Sequence, residues 1–134
     1  MALKRPYSDS DKMAAEIVSQ FLQSANDTHR YHLQITGPGS YAQHTAIGDY
    51  YSSVKDFADS FAEEYQGFTM KLLKLESTPA QEIKTKEDVV KHLNNLYINI
   101  ERTQEVMPCS ALINTLDEVK SMISSTRYKL VFLS

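Results

Sequence analysis

The stretch HLQITGPGSYAQHTAIGDYYSSVKDFADSFAEEYQ, residues 32–66, joins the end of one amphipathic helix to a long second helix through a glycine-rich turn. Residues 37–39 end the first helix, because glycine tolerates positive φ and proline cannot continue the helical hydrogen-bond ladder. Apolar residues then recur at steps of three and four from Tyr41 to Tyr65. This periodicity predicts one continuous helix over about 40–66 and therefore an antiparallel helical hairpin.

Three further helices are predicted by the same periodicity. They cover about 9–35, 85–106 and 110 to the C-terminal end. Ser40 with Gln43, before the second helix, has the spacing of a capping box, which satisfies free N–H groups at a helix start. The closing run from Leu130 to Leu133 is too short to span a membrane, and we interpret it as a helix end docked into the core.

The segment 68–84 separates the second helix from the third. It lacks clear periodicity and contains Pro79, so it is predicted to be a connection with at most a short helix around 70–75. Four helices with one long middle connection predict an all-α protein, a four-helix bundle of the ferritin-like kind. The length favours a single domain, residues 1–134, with 1–8 as an N-terminal arm.

The charge and composition of the chain exclude some classes of function and favour one location. A net charge of −3, with Lys4-Arg5 as the only basic cluster near a terminus, disfavours a nucleic-acid partner. The single Cys109 cannot form an intramolecular disulfide and is typical of a reducing compartment, where such a thiol is usually buried. No run resembles a signal peptide or approaches the roughly 18 apolar residues of a membrane span. We therefore expect a cytoplasmic protein with no membrane contact.

Four candidate metal ligands occur in two pairs: His32 with His44, and Asp59 with Glu63. On one helix, a rise of about 1.5 Å per residue places His44 and Asp59 roughly 22 Å apart, so no single metal contacts both pairs within one chain. Either the pairs act separately, or the histidines of one chain meet the carboxylates of a second chain packed antiparallel. Neutral imidazole suits iron, zinc and other transition metals.

Ordinary structural roles are the alternatives for these residues and their neighbours. His29 is expected in the core or the hairpin and not at a metal, and the pair of carboxylates would otherwise form a solvated acidic face. Gly48 costs about 1 kcal/mol relative to alanine inside a helix. Close approach of another helix, crossing near Ser52, would compensate for that cost.

The residues from Thr28 to His44, with Asp59 and Glu63 at their spacing, resemble the Dps-type miniferritins of the ferritin-like superfamily. The resemblance implies a ferroxidase site between two-fold related subunits, with the two histidines from one chain and the two carboxylates from the other. It implies oxidation of Fe(II) by peroxide or oxygen, with zinc as the competing metal. It also implies a homo-oligomer, a dimer through the second helix or a dodecameric shell that stores iron.

Two positions differ from the pattern of that family. Leu33 stands where the family has tryptophan, and Gly48 stands where it has an acidic residue. Small divergent chains of this kind also resemble those carried by tailed bacteriophages. The alternative hypothesis is a catalytically silent ferritin-like protein that serves as an assembly or binding module.

Overall fold

Four helices make up the computed structural model, which describes residues 6–133. They are α1 (Asp9–His32), α2 (Ser40–Thr69), α3 (Lys86–Gln104) and α4 (Ser110–Phe132). Within this range the chain forms no strand. The predicted all-α, four-helix bundle is confirmed. The basic pair Lys4-Arg5 lies outside the described residues.

The helix starts show which capping predictions were correct. The Ser8 and Thr85 side chains cap α1 and α3 in full capping boxes. The box predicted for α2 does not form, because Gly39 is the N-cap and no side chain caps the helix. The helix also continues through Gly67 to Thr69, beyond the predicted end at about residue 66.

The connection between α2 and α3 runs along the length of α1. At its start, Lys71 pairs with Asp11 in the first turn of α1. Near its end, the backbone N–H of Gln81 donates to Asp27, close to the other end of α1. Residues 70–85 contain no helix, so the short helix that the sequence allowed around 70–75 does not form. We call this segment, 70–85, the crossover.

The crossover sets the directions of the last two helices. Because it carries the chain to the far end of α1, α3 runs back antiparallel to α1, and Asn99 donates to Gln20 across the two helices. The start of α4 lies beside the end of α2, where Thr115 donates to Glu64. The helices pack as a ring in the order α1, α2, α4, α3.

The apolar face of each helix meets the others in one continuous core. Its largest fully buried apolar and aromatic side chains are Tyr50, Tyr65, Phe21, Phe61, Ile17, Ile47, Leu93, Ile100, Leu112, Leu116, Ile123 and Leu130. The predicted docking of the closing run is wrong beyond Leu130, because Val131, Phe132 and Leu133 are exposed. Cys109 is half-buried against the core. No helix within residues 6–133 is long and apolar enough to cross a membrane.

Candidate functional site

The hairpin brings the first pair of predicted ligands together. His32 is the last residue of α1, and His44 lies in the second turn of α2. Gly37 and Gly39, with φ of 91° and 77°, adopt the left-handed conformations that the tight reversal requires. The two imidazole rings are stacked, with centroids 3.7 Å apart and an interplanar angle of 23°.

Reciprocal hydrogen bonds fix the tautomer of both rings. Nδ1 of His32 donates to the backbone carbonyl of His44 at 2.9 Å, and Nδ1 of His44 donates to the carbonyl of His32 at 3.3 Å. A carbonyl oxygen only accepts, so the hydrogen of each neutral ring is on Nδ1 and the lone pair is on Nε2. Neither Nε2 bonds to another described residue. Holding one ring nitrogen on a carbonyl while the other binds metal is the usual arrangement of a histidine ligand.

The electrostatic surroundings favour the neutral, metal-binding form of His32. Partial burial lowers the pKa of its imidazole, and the neighbouring His44 and His29 lower it further. The hydrogen bond to the carbonyl of His44 opposes this shift without cancelling it. His32 is therefore neutral at pH 7.

Gly48 leaves room for the histidine pair. A Cβ atom built on Gly48 would lie 3.2 Å from Cε1 of His32, tighter than ordinary van der Waals contact. The space above this glycine is therefore filled by an imidazole of the same chain. This contact gives Gly48 a role within one chain, and its interpretation as a mark of helix crossing near Ser52 stays a prediction.

His29 belongs to the hairpin surface. The prediction that placed it in the core or the hairpin is wrong for the core, because its side chain is exposed. Its ring stacks on Tyr51, with centroids 4.1 Å apart and an interplanar angle of 14°. Tyr51 also meets the edge of His32 at 5.2 Å. Sequence reasoning assigned Tyr51 to the core stripe and missed its role as a support for the histidines.

The second pair of predicted ligands lies far from the first. Asp59 and Glu63 are exposed on α2, one turn apart. Because α2 is unbroken from Ser40 to Thr69, fifteen residues separate His44 from Asp59 by about 22 Å. Within the described chain, no three His, Cys, Asp or Glu side chains are grouped so as to hold a metal ion. One chain thus presents two imidazoles at one point and two carboxylates at another.

A second polar cluster, which sequence reasoning missed, lies between α1, α3 and the crossover. The hydroxyl of Ser24 is 2.6 Å from Nε2 of His92 and 2.7 Å from the hydroxyl of Tyr50. Nδ1 of His92 is 2.7 Å from Oε1 of Gln81. Ser24 and His92 are sixty-eight residues apart, so no local spacing indicates their contact.

A family model matches residues 32–130, most of the chain, and it is described as a family of unknown function (DUF5856). The chain belongs to this family. The matched range begins at His32 and contains His44, Asp59 and Glu63. No curated protein and no solved structure matches the chain.

Proposed function

We propose that this member of the family oxidises Fe(II), with peroxide or oxygen as oxidant, at sites shared between two chains. The observation that carries the proposal is the pair His32 and His44, whose Nδ1 atoms are both fixed on carbonyls and whose Nε2 atoms are both left without a described partner. Imidazole binds Fe(II) well, and carboxylate oxygen favours Fe(III). In the miniferritins, which the sequence resembles, imidazole and carboxylate ligands meet in one site.

The topology supports the same proposal. Ferritin-like bundles have one long connection between two helical hairpins. Here the crossover runs along α1 and joins the α1–α2 hairpin to the α3–α4 hairpin. The bundle therefore has the connectivity on which such iron sites are built.

A second chain supplies the missing ligands in this proposal. If two α2 helices pack antiparallel about a two-fold axis near Ser52, residue 44 of one helix lies opposite residues 59–63 of the other. Ser52 is exposed and small enough to permit close packing. His32 and His44 of one chain would then face Asp59 and Glu63 of its mate, and each dimer would carry two sites.

Each ligand has a proposed role. The two imidazoles would bind Fe(II) as substrate, Glu63 would provide a bridging or terminal carboxylate, and Asp59 a terminal one. Zinc would compete for the same ligands. We further propose a cytoplasmic protein, because Cys109 is a free thiol, with assembly of dimers into a larger shell that stores the product.

Mixing two inactive variants tests the shared site. His44→Ala and Glu63→Ala should each lose most Fe(II) oxidation, since either change removes a ligand from every site. In a refolded equal mixture, half the dimers are mixed, and each mixed dimer has one intact site. Activity should therefore return to about a quarter of wild type if the two sites are independent. No recovery in confirmed mixed dimers would show that the ligands do not come from two chains.

A scaffold without redox chemistry is the second candidate, and one observation favours it. The reciprocal hydrogen bonds of His32 and His44 join the end of α1 to the start of α2 without any metal. The pair would then only close the hairpin. Metal content of anaerobically purified protein separates the candidates: iron or zinc lost on His44→Ala supports the metal site, and metal-free wild type that never oxidises Fe(II) supports the scaffold.

A further inference from the structure

A cavity of about 310 Å³ lies between α1, α3 and the crossover, away from the hairpin histidines. Most of the residues that line it are of polar types, among them Gln20, Gln23, Asn95 and Asn99, together with Asp27 and His92. One water occupies about 30 Å³ of liquid, so the cavity has room for a molecule of several heavy atoms. A bare metal ion would not fill it.

Asp27 is a buried carboxylate on the wall of this cavity without a positive partner. Its exposure is 3%, and it accepts hydrogen bonds from Nε2 of Gln23 at 2.8 Å and the N–H of Gln81 at 3.1 Å. A carboxylate offers about four lone-pair sites, so two remain. None of the ion pairs formed among residues 6–133 includes Asp27.

His92 does not supply the missing positive charge. The side-chain amide oxygen Oε1 of Gln81 only accepts, so Nδ1 of His92 donates to it, and Nε2 of the neutral ring accepts from the hydroxyl of Ser24. Burial lowers the pKa of His92, although nearby Asp27 opposes the shift. The ring is therefore neutral at pH 7, and the cavity carries the uncompensated charge of Asp27.

A further polar atom in the lining also lacks a partner. The hydroxyl oxygen of Thr78 is buried and makes no hydrogen bond within the described chain. Thr78 belongs to the crossover and lines the cavity opposite α1. The hydroxyl oxygen itself is closed off from the open space, so the carboxamides of the lining are the acceptors for a ligand.

From these observations we infer that the cavity binds a small organic cation with a primary ammonium group, which pairs with Asp27 while carboxamide oxygens of the lining accept its remaining hydrogen bonds. Buried charges in proteins are paired, and an ammonium has three donors for such acceptors. The inference is independent of the iron site, which lies at the α1–α2 hairpin.

Two probes of equal length test the charge requirement. Butane-1,4-diamine should shift the NMR signals of His92 and Gln81 saturably, and butane-1,4-diol should bind at least about tenfold more weakly, because charge-assisted hydrogen bonds are the stronger ones. Asp27→Asn should weaken binding of the diamine by a similar factor. Asp9→Asn, an exposed change at the start of the same helix, should leave it unaltered.

Asn95→Trp is a second variant that does not depend on the buried network. Asn95 is exposed on α3 and lines the cavity, so the larger ring should block entry while the fold is kept. Diamine binding should then be lost. Three outcomes would overturn the inference: equal binding of diamine and diol, no saturable shift up to about 10 mM diamine, or binding that survives Asn95→Trp in folded protein.

Discussion

The hairpin histidines and His92 differ in what their ring nitrogens are left free to do. In His32 and His44 one nitrogen donates to a carbonyl, and the other has no described partner. In His92 both nitrogens are bonded, one to Gln81 and one to Ser24. Burial lowers the pKa of both His32 and His92, so both are neutral at pH 7. The free nitrogen, and not the protonation state, therefore separates a candidate ligand from a structural histidine.

The histidine pair of the hairpin and the cluster around His92 also differ in how many segments of the chain they join. The histidine pair joins two neighbouring helices at the surface end of one hairpin. The cluster around His92 joins four segments, since it contains Ser24 of α1, Tyr50 of α2, His92 of α3 and Gln81 of the crossover. Damage to the cluster should therefore destabilise the whole bundle, whereas damage at the hairpin should mainly affect binding.

Tyr50→Ala gives the largest expected effect on stability. The side chain is fully buried, and truncation of a large aromatic residue in a core typically costs about 3–5 kcal/mol. Its neighbour Tyr51 is the matched control, because it is only half-buried, packs at the edge of the core and stacks on His29. Tyr51→Ala should cost roughly 1 kcal/mol. Chemical denaturation measures both, and equal losses would contradict the division between the two regions.

The pH dependence of stability gives a smaller effect. Because the pKa of His92 is lower in the folded chain than its ordinary value of about 6.5, the unfolded chain binds more protons below that pH. The free energy of unfolding should therefore fall as the pH drops below about 6.5 and stay level above it. The lowered pKa of His32 contributes in the same direction. The effect of His92 is therefore the difference in the free energy of unfolding between wild type and His92→Gln, measured by urea titrations from pH 8 to pH 5. If the free energy of unfolding of His92→Gln falls with decreasing pH as steeply as that of wild type, His92 does not cause the loss of stability.

Much of the bundle could be predicted because helical periodicity is a local property. The four helices, the hairpin and the crossover all follow from apolar spacing and from turn residues. The errors occurred where two local signals compete. Gly39, not Ser40, is the N-cap of α2, because the left-handed glycine that ends the turn occupies that position. Val131 and Phe132 are apolar, but successive helical residues point about 100° apart, so they leave the face that buries Leu130. Leu133 lies beyond the last residue of α4 and does not continue that face.

The two polar regions were predictable to different degrees for a similar reason. His32 and His44 are twelve residues apart across one turn, so hairpin geometry alone brings them together. The contact of His92 with Ser24 depends on the direction of the crossover and the phase of two distant helices, which periodicity does not fix. Gly48 was recognised as unusual, but the neighbour that fills the space above it was not predictable without the rotamer of His32.

Gly48→Ala gives the smallest expected change in stability and the sharpest test of the hairpin. Alanine favours a helix interior over glycine by about 1 kcal/mol, but its Cβ would lie 3.2 Å from Cε1 of His32, so the ring must move by a few tenths of an ångström. The net change in the free energy of unfolding should therefore stay within about 1 kcal/mol. The His32 ring signals should shift in NMR spectra, and metal affinity should fall as the ring leaves its hydrogen bond.

Gly67→Ala is the matched control for that substitution. Gly67 lies in the same helix, and a Cβ there would meet no atom within 4 Å. It should leave both the His32 signals and metal binding at wild-type values. If Gly48→Ala also leaves them unchanged, the hairpin tolerates a side chain at residue 48, and the packing of His32 on this glycine does not position its Nε2. If only Gly48→Ala loses metal, then the missing side chain at residue 48 is part of what holds the first ligand of the site in place.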